Sequence, residues 1–296
     1  MHLRSVELVL PDPKGAHDFL CGTWGAVSGE VRGESYYVRG SGDLPYLVGL
    51  SPAQTSSIQS TTFSASESEI AAVEERAGAA GIDVVTTTST DPGGGTGILI
   101  VLPGGACFRL LAGSETHESL VGADIPVRLT HVVLNASDAE REAKFCEDIL
   151  GFRVSDRTVG MAFVRCNESH HSIAFARAGF DSLNHIAFEM ADLDAVMRGM
   201  GRMRDAGFEP AWGPGRHGPG ANVFAYYVAP FGAVVEFSTA VVTVSDDYRV
   251  GGLDDWTWPA GRIDQWGVSD KNFDALRIAD RNFLHGTRTI ACEIVG

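Results

Sequence analysis

Two hydrophobic periods take turns along this chain. In its second half, residues 129–134 form an apolar run of strand length. Ser137 and Glu140 then stand three apart, the spacing of a capping box, and predict a helix to Leu150 that Gly151 ends. Strands are expected near 153–155, 161–166, 171–176 and 184–190. From Asp192 to Ala206 the period lengthens: Leu193, Val196, Met197, Met200 and Met203 recur at helical spacing, and Gly207 stops the helix. Further strands are expected near 208–212, 222–228 and 233–237. The order β-α-β-β-β therefore occurs twice in this half.

The first half repeats the second. Residues 5–25 align with 131–151, so that Val6 meets Val132, Leu8 meets Leu134, Asp12 meets Asp138, Phe19 meets Phe145 and Gly25 meets Gly151. At the same offset YYVRG (36–40) meets AFVRC (162–166). AAGIDV (79–84) meets DAGFEP (205–210), and LPGGACFRLL (102–111) meets APFGAVVEFS (229–238). Similarity at ordered places, nearly in register, reads as a duplication. The expected organisation is α+β: four βαβββ modules paired into two half-open barrels, each with a concave face. Residues 1–122 form one pair, 123–245 the other, and 246–296 a tail. That tail carries Trp256, Trp258 and Trp266 and a helical stretch near 272–283. It either packs on the barrel or lies over the mouth of a site. The glycine-rich stretch 91–97 has neither a strand before it nor a lysine after it, so it reads as a loop and not as a phosphate cradle.

Composition narrows the function. A chain of 296 residues, 44% hydrophobic, can bury a large core. A formal charge of −15 argues against nucleic acid or an acidic membrane surface as partner. Five cysteines (21, 107, 146, 166 and 292) form no C-x-x-C pair and read as reduced thiols. With no bilayer-length apolar run, a soluble cytoplasmic protein is expected.

The chemistry gathers in the second half. Glu236 stands within an apolar strand between Val235 and Phe237, and a buried carboxylate is costly unless paired or bound to a metal. His131 opens the first strand of the half, and His185 opens the strand at the equivalent place of the next module. Two imidazoles and a carboxylate are the donor set of a facial triad, which leaves positions open on Fe(II). The repeat is a control within the chain: Ser5 faces His131, Gln59 or Ser60 faces His185, and Arg109 faces Glu236. Each residue taken alone also has a plain reading, as a hydrogen-bonded structural histidine or a glutamate paired with an arginine.

CNESHHSIAF (166–175), LNHIAFEM (183–190), GPGRHG (213–218) and the run from Phe224 through Tyr226, Tyr227, Pro230 and Gly232 to Glu236 follow in order. With them the second half resembles the type I extradiol ring-cleaving dioxygenases of the vicinal oxygen chelate superfamily, and the two-module build extends the likeness to the whole chain. The resemblance implies a glyoxalase-like fold with an inactive N-terminal module. It also implies Fe(II), or Mn(II) in some members, on His131, His185 and Glu236. His171 would be the acid/base histidine, with Tyr226 and His217 beside the substrate oxygen. A catechol-type substrate and O2 are implied, with no organic cofactor, and such modules commonly form homo-oligomers. Alternation would turn His170 away, to solvent or a structural role, and Tyr227 to the far face. The chain departs from the family in having Ala229 before Pro230. Trp212, where some members carry a basic residue, favours a neutral ring substituent. The runner-up is a glyoxalase-like isomerase on the same scaffold, whose ligands usually come from both modules; a third reading is a non-catalytic binder of an aromatic ligand or metal.

Overall fold

The computed structural model describes residues 1–122 and 124–286; Cys292 and the end of the expected tail lie outside the described residues. Four units follow one another. The first has β1 (His2–Leu10), α1 (Pro13–Asp18) with a π-helical turn Phe19–Thr23, β2 (Val27–Arg32), β3 (Ser35–Arg39) and β4 (Val48–Pro52). The second has β5 (Ser57–Ser64), α2 (Glu67–Ala80), β6 (Val84–Thr88), β7 (Thr96–Val101) and β8 (Cys107–Ala112). The third has β9 (Leu129–Ala136), α3 (Ala139–Phe145) with a π-helical turn Cys146–Leu150, β10 (Arg153–Arg157), β11 (Met161–Arg165) and β12 (Ile173–Arg177). The fourth has β13 (Ser182–Glu189), α4 (Leu193–Asp205), β14 (Trp212–Arg216), β15 (Val223–Val228) and β16 (Val234–Thr239). In every unit the first strand pairs in parallel with the last. The first strands of neighbouring units then pair antiparallel, β1 with β5 and β9 with β13. This is the expected α+β architecture of four βαβββ modules.

Local sequence explains most boundaries and corrects two. Asp138, not Ser137, caps α3, accepting from the Arg141 amide at 3.0 Å. Ser137 is engaged instead by Asp181, whose carboxylate accepts its amide and hydroxyl. Gly151 ends the helix in the left-handed region at φ 73°, as expected. The strand expected at 208–212 begins only at Trp212: the Phe208 amide still returns to the Met203 carbonyl, closing α4. The 91–97 stretch is a turn that passes into β7 at Thr96. It follows β6, contrary to the expectation of no strand before it, and its carbonyls meet a cation: the Arg4 guanidinium donates to Pro92 O at 2.7 Å and Gly94 O at 3.1 Å.

The tail packs on β14 and ties the halves together. Backbone bonds join Gln265 to Arg216 and Asn272 to Ala211. Its helix α5 (Phe273–Ala279) is capped by Asn272, and β17 (Leu284–His285) pairs with both β13 and β5. A second tie is aromatic. Trp24, fully buried, stacks on Phe237 with ring centroids 3.5 Å apart and meets the edges of Phe188 and Tyr227. Arg202 of α4 caps this joint by donating to the carbonyls of Thr23 and Trp24. Alternation along β16 thus gives Phe237 to the joint and its neighbour Glu236 to the concave face. Trp24→Ala is expected to lower the unfolding free energy by about 3–5 kcal/mol, as large buried aromatics do. Chemical denaturation checks it; a loss below about 1 kcal/mol, the ordinary cost of a point substitution, would contradict Trp24 as the anchor.

Candidate metal centre

Strand register builds the site. Ala187 of β13 lies opposite His131 of β9 on one side and Glu236 of β16 on the other. The small Ala187 side chain leaves the row open between them. His185 is two residues along the same strand, hence on the same face. Three donor atoms converge: His131 Nε2 and Glu236 Oε2 at 3.2 Å, His185 Nε2 and Glu236 Oε2 at 3.1 Å, and the two Nε2 atoms at 3.4 Å. All three residues are buried, Glu236 completely. Burial pushes the Glu236 carboxyl up, but His131 and His185 outweigh it and hold it below the usual carboxylate range. Burial lowers His185. Two imidazole Nε2 atoms and a carboxylate oxygen within 3.1–3.4 Å of one another make a donor set that fits a divalent metal.

Partners behind the ligands fix them. His185 Nδ1 faces Asn184 Oδ1 at 2.7 Å, Asn184 donates to Asn135 at 2.8 Å, and Asn135 donates to Ser182 at 2.9 Å. Asn222 donates to Glu236 Oε1 at 3.2 Å and to Ser238 at 3.0 Å. Such a chain sets the ring orientation of a ligand histidine. Sequence reasoning does not single out Asn184, inside β13, or Asn222, just before β15, because an amide has many plain uses.

The candidate ligands border a cavity of about 420 Å³. Its wall includes His171, His217, Tyr226 and Trp212, and the tail contributes Trp258, Lys271 and Phe273. The tail therefore packs on the barrel and contributes to the cavity wall. His217 Nε2 and the Tyr226 hydroxyl are 2.9 Å apart. Burial holds His217 down to about 3, and burial with the Glu236 charge holds Tyr226 well above its ordinary value. His171 is held well below its ordinary value by burial and then by the histidines around it. Tyr227 faces the Trp24 joint on the far side, as alternation predicts. Trp212 does line the cavity, but Lys271 Nζ stands 4.0 Å over its ring, so this wall carries a charge that Trp212 alone does not announce.

Of the two places expected for His170, solvent or a structural role, the first is excluded. His170 does not reach solvent: it is completely buried, with Nδ1 3.0 Å from Nδ1 of His171. Strand alternation does not apply because β12 begins only at Ile173.

The first half shows the same row with different chemistry. Thr62 of β5 lies opposite Ser5 of β1 and Arg109 of β8, so Arg109 takes the place of Glu236, Ser5 that of His131, and Ser60 that of His185. Glu7 accepts from Ser5 and Ser60 at 2.6 Å each, and Arg109 pairs with Glu7 at 2.9 Å and Asp91 at 2.8 Å. A guanidinium there stands where the second half has the Glu236 carboxylate.

A family model described as Glyoxalase/Bleomycin resistance protein/Dioxygenase superfamily matches residues 128–237. Metapyrocatechase 2 of Cupriavidus necator is 29% identical over 238 residues, covering 70% of this chain and 71% of that protein. An iron-dependent extradiol dioxygenase of Rhodococcus jostii is 29% identical over 177 residues, 54% of this chain and 57% of that one. Among solved structures, a Mn(II)-bound glyoxalase from Novosphingobium aromaticivorans superposes with a TM-score of 0.84 at 30% identity, covering 93% of each chain.

Glu236→Gln is expected to leave the chain folded but weaken iron binding by more than about 100-fold, beyond the loss of a partner behind a ligand. Metal analysis after gel filtration checks it, and a stoichiometric iron content in the variant would contradict the assignment. Arg109→Met is expected to strand Glu7 and Asp91 and cost about 3–5 kcal/mol of stability. Its iron content should stay that of the wild type; a lost iron signal would move the site to the first half.

Proposed function

The chain belongs to the glyoxalase/bleomycin resistance protein/dioxygenase superfamily and to the ring-cleaving dioxygenases within it, and on that premise we propose that it opens a catechol-type ring beside the vicinal diol with Fe(II), inserting both atoms of O2. The observation that carries this reading is the convergence of His131, His185 and Glu236 within 4.8 Å beside a cavity walled by His171, His217 and Tyr226. Residues 123–245 would do the chemistry, and 1–122 would be its non-catalytic counterpart.

Bound there, Fe(II), or Mn(II), would supply Lewis acidity and open positions for a diol and for O2. The protein's own groups do the rest. His131, His185 and Glu236 hold the cation with one net negative charge. Neutral His171 accepts a proton from a catechol hydroxyl and returns it later in the reaction, which suits an imidazole. Tyr226 keeps its proton, and with His217 it donates hydrogen bonds to a substrate oxygen as that oxygen gains charge. The cavity is large enough for one substituted ring and holds it near these groups. Tail residues Trp258, Lys271 and Phe273 complete the wall of the cavity.

The isomerase alternative is disfavoured by the first half. At the places of the three ligands it has Ser5, Ser60 and Arg109, and Arg109 is already paired. A pure binder would need neither an acid/base histidine nor a tyrosine beside the open face.

The test is anaerobic loading with Fe(II), then air and a panel of 3-substituted, 4-substituted, biaryl and carboxylated catechols. Oxygen uptake with a yellow ring-fission product is expected from at least one. Iron-loaded protein that consumes no oxygen with any of them would overturn the proposal. His171→Phe should keep iron and catechol binding while kcat falls about 100- to 10,000-fold, the range of a lost general acid/base; a rate near wild type would remove His171 from that role.

A further inference from the structure

Behind His171 lies a second pair of buried groups that the reaction as described does not use. His170 Nε2 is 2.5 Å from Asp156 Oδ2, and His170 Nδ1 is 3.0 Å from His171 Nδ1. Asp156 and His170 are both completely buried, and His171 nearly so. Asp156 also accepts from the Gly251 amide at 2.8 Å and from the Tyr248 hydroxyl at 3.3 Å. Its inward aim has a local cause: the β10–β11 register slips by one residue between Val154 and Asp156, a bulge at Ser155 that turns the next side chain toward His170. Backbone bonds pin both sides of the pair, His170 N to Val242 O at 3.0 Å and Ser172 N to Val164 O at 2.9 Å. Gly220 lies directly on it. A Cβ there would stand 3.0 Å from His171 Cε1 and 3.1 Å from His170 Nδ1, at a backbone φ of 75° that favours glycine.

Proton accounting gives this chain a direction. A carboxylate only accepts, so His170 donates from Nε2. With its proton on Nε2, His170 presents Nδ1 to His171 Nδ1 at 3.0 Å, where it can accept an N–H. The nitrogen left to His171 for chemistry is Nε2, as a lone pair, on a ring that lines the cavity. We propose that Asp156 and His170 are positioning residues that hold the ring of His171 and keep its proton on Nδ1, so that Nε2 is the base offered to the substrate. The inference rests on the proposed function for the identity of that substrate, but not for the proton arrangement itself.

The duplicate half supports a functional and not a structural origin. Val132 of β9 lies opposite Ile173, and Val6 of β1 opposite Val48, so His171 corresponds to Tyr46 and His170 to Pro45. Tyr46 donates to Glu7 and Asp91, inside the charge-paired cluster of that half. The same scaffold therefore folds with no histidine pair at this place.

The test uses the full chain with three variants. Asp156→Asn can donate its amide to His170 Nε2, which moves the His170 proton to Nδ1 and the His171 proton to Nε2. His170→Phe removes the link. His170→Gln restores it, because its carbonyl accepts from His171 and its amide donates to Asp156. In the Fe(II)-loaded enzyme, kcat should fall about 10- to 100-fold in Asp156→Asn and His170→Phe, the usual effect of losing a partner behind a functional histidine. KM and iron content should change less than about three-fold, which is small on that scale, and His170→Gln should recover most of the loss. Nitrogen-15 correlation spectra of the metal-free chain should show His171 protonated on Nδ1 in the wild type and on Nε2 in Asp156→Asn. The spectra stand apart from activity, so they survive a wrong substrate. Wild-type His171 protonated on Nε2, a kcat unchanged in Asp156→Asn, or a His170→Gln enzyme no faster than a folded His170→Phe would each overturn the proposal. If His170→Phe does not fold, Asp156→Asn and the spectra decide.

Discussion

A buried carboxylate flanked by two imidazoles is the constraint on which this molecule turns. Glu236 sits with no exposed surface between His131 and His185. Removing a carboxylate from water costs several kcal/mol unless a partner compensates. The chain meets that demand twice on one scaffold. In the first half, Arg109 provides the cation and Glu7 and Asp91 the anions, all within the chain. In the second half the proposed metal would take the corresponding place, and with it would come open positions where chemistry can occur.

The rest of the architecture serves that row of three strands. β9, β13 and β16 place the ligands by register alone, with Ala187 between them small enough to leave space. The opposite face of β16 gives Phe237 to the stack with Trp24, so the strand that holds the carboxylate is clamped by the other half of the chain. The asparagines behind His185 and Glu236 and the Asp156–His170 pair behind His171 apply the same logic to individual rings. A functional side chain is useful only when its own partners leave it one orientation. The tail completes the cavity with residues far along the chain from the ligands, and β17 ties that tail to both halves.

Much of this was legible in the sequence because the chain contains its own comparison. Periodicity gave the repeated unit, and the places where the halves differ, His131 against Ser5 and Glu236 against Arg109, marked the site. Register then chose Ser60 over Gln59 opposite His185. What stayed hidden depends on departures from regular geometry. The turn of Asp156 toward His170 comes from a one-residue bulge, which leaves no trace in a pattern of period two. Which of its two expected places His170 takes is not set by alternation, because β12 begins only at Ile173. Lys271 of the irregular tail meets Trp212 from 59 positions further along the chain, a contact that no local pattern encodes. Ser137 matched a capping box, yet Asp181, brought in by a long-range contact, took its hydrogen bonds and left the cap to Asp138.

The measurement that tests the central claim most directly is anomalous diffraction at the iron edge from crystals of the full chain loaded anaerobically with Fe(II). The account predicts one strong peak bounded by His131 Nε2, His185 Nε2 and Glu236, and none in the cluster around Arg109. Iron in the first half, or a fully loaded protein whose second-half site has no peak, would contradict it.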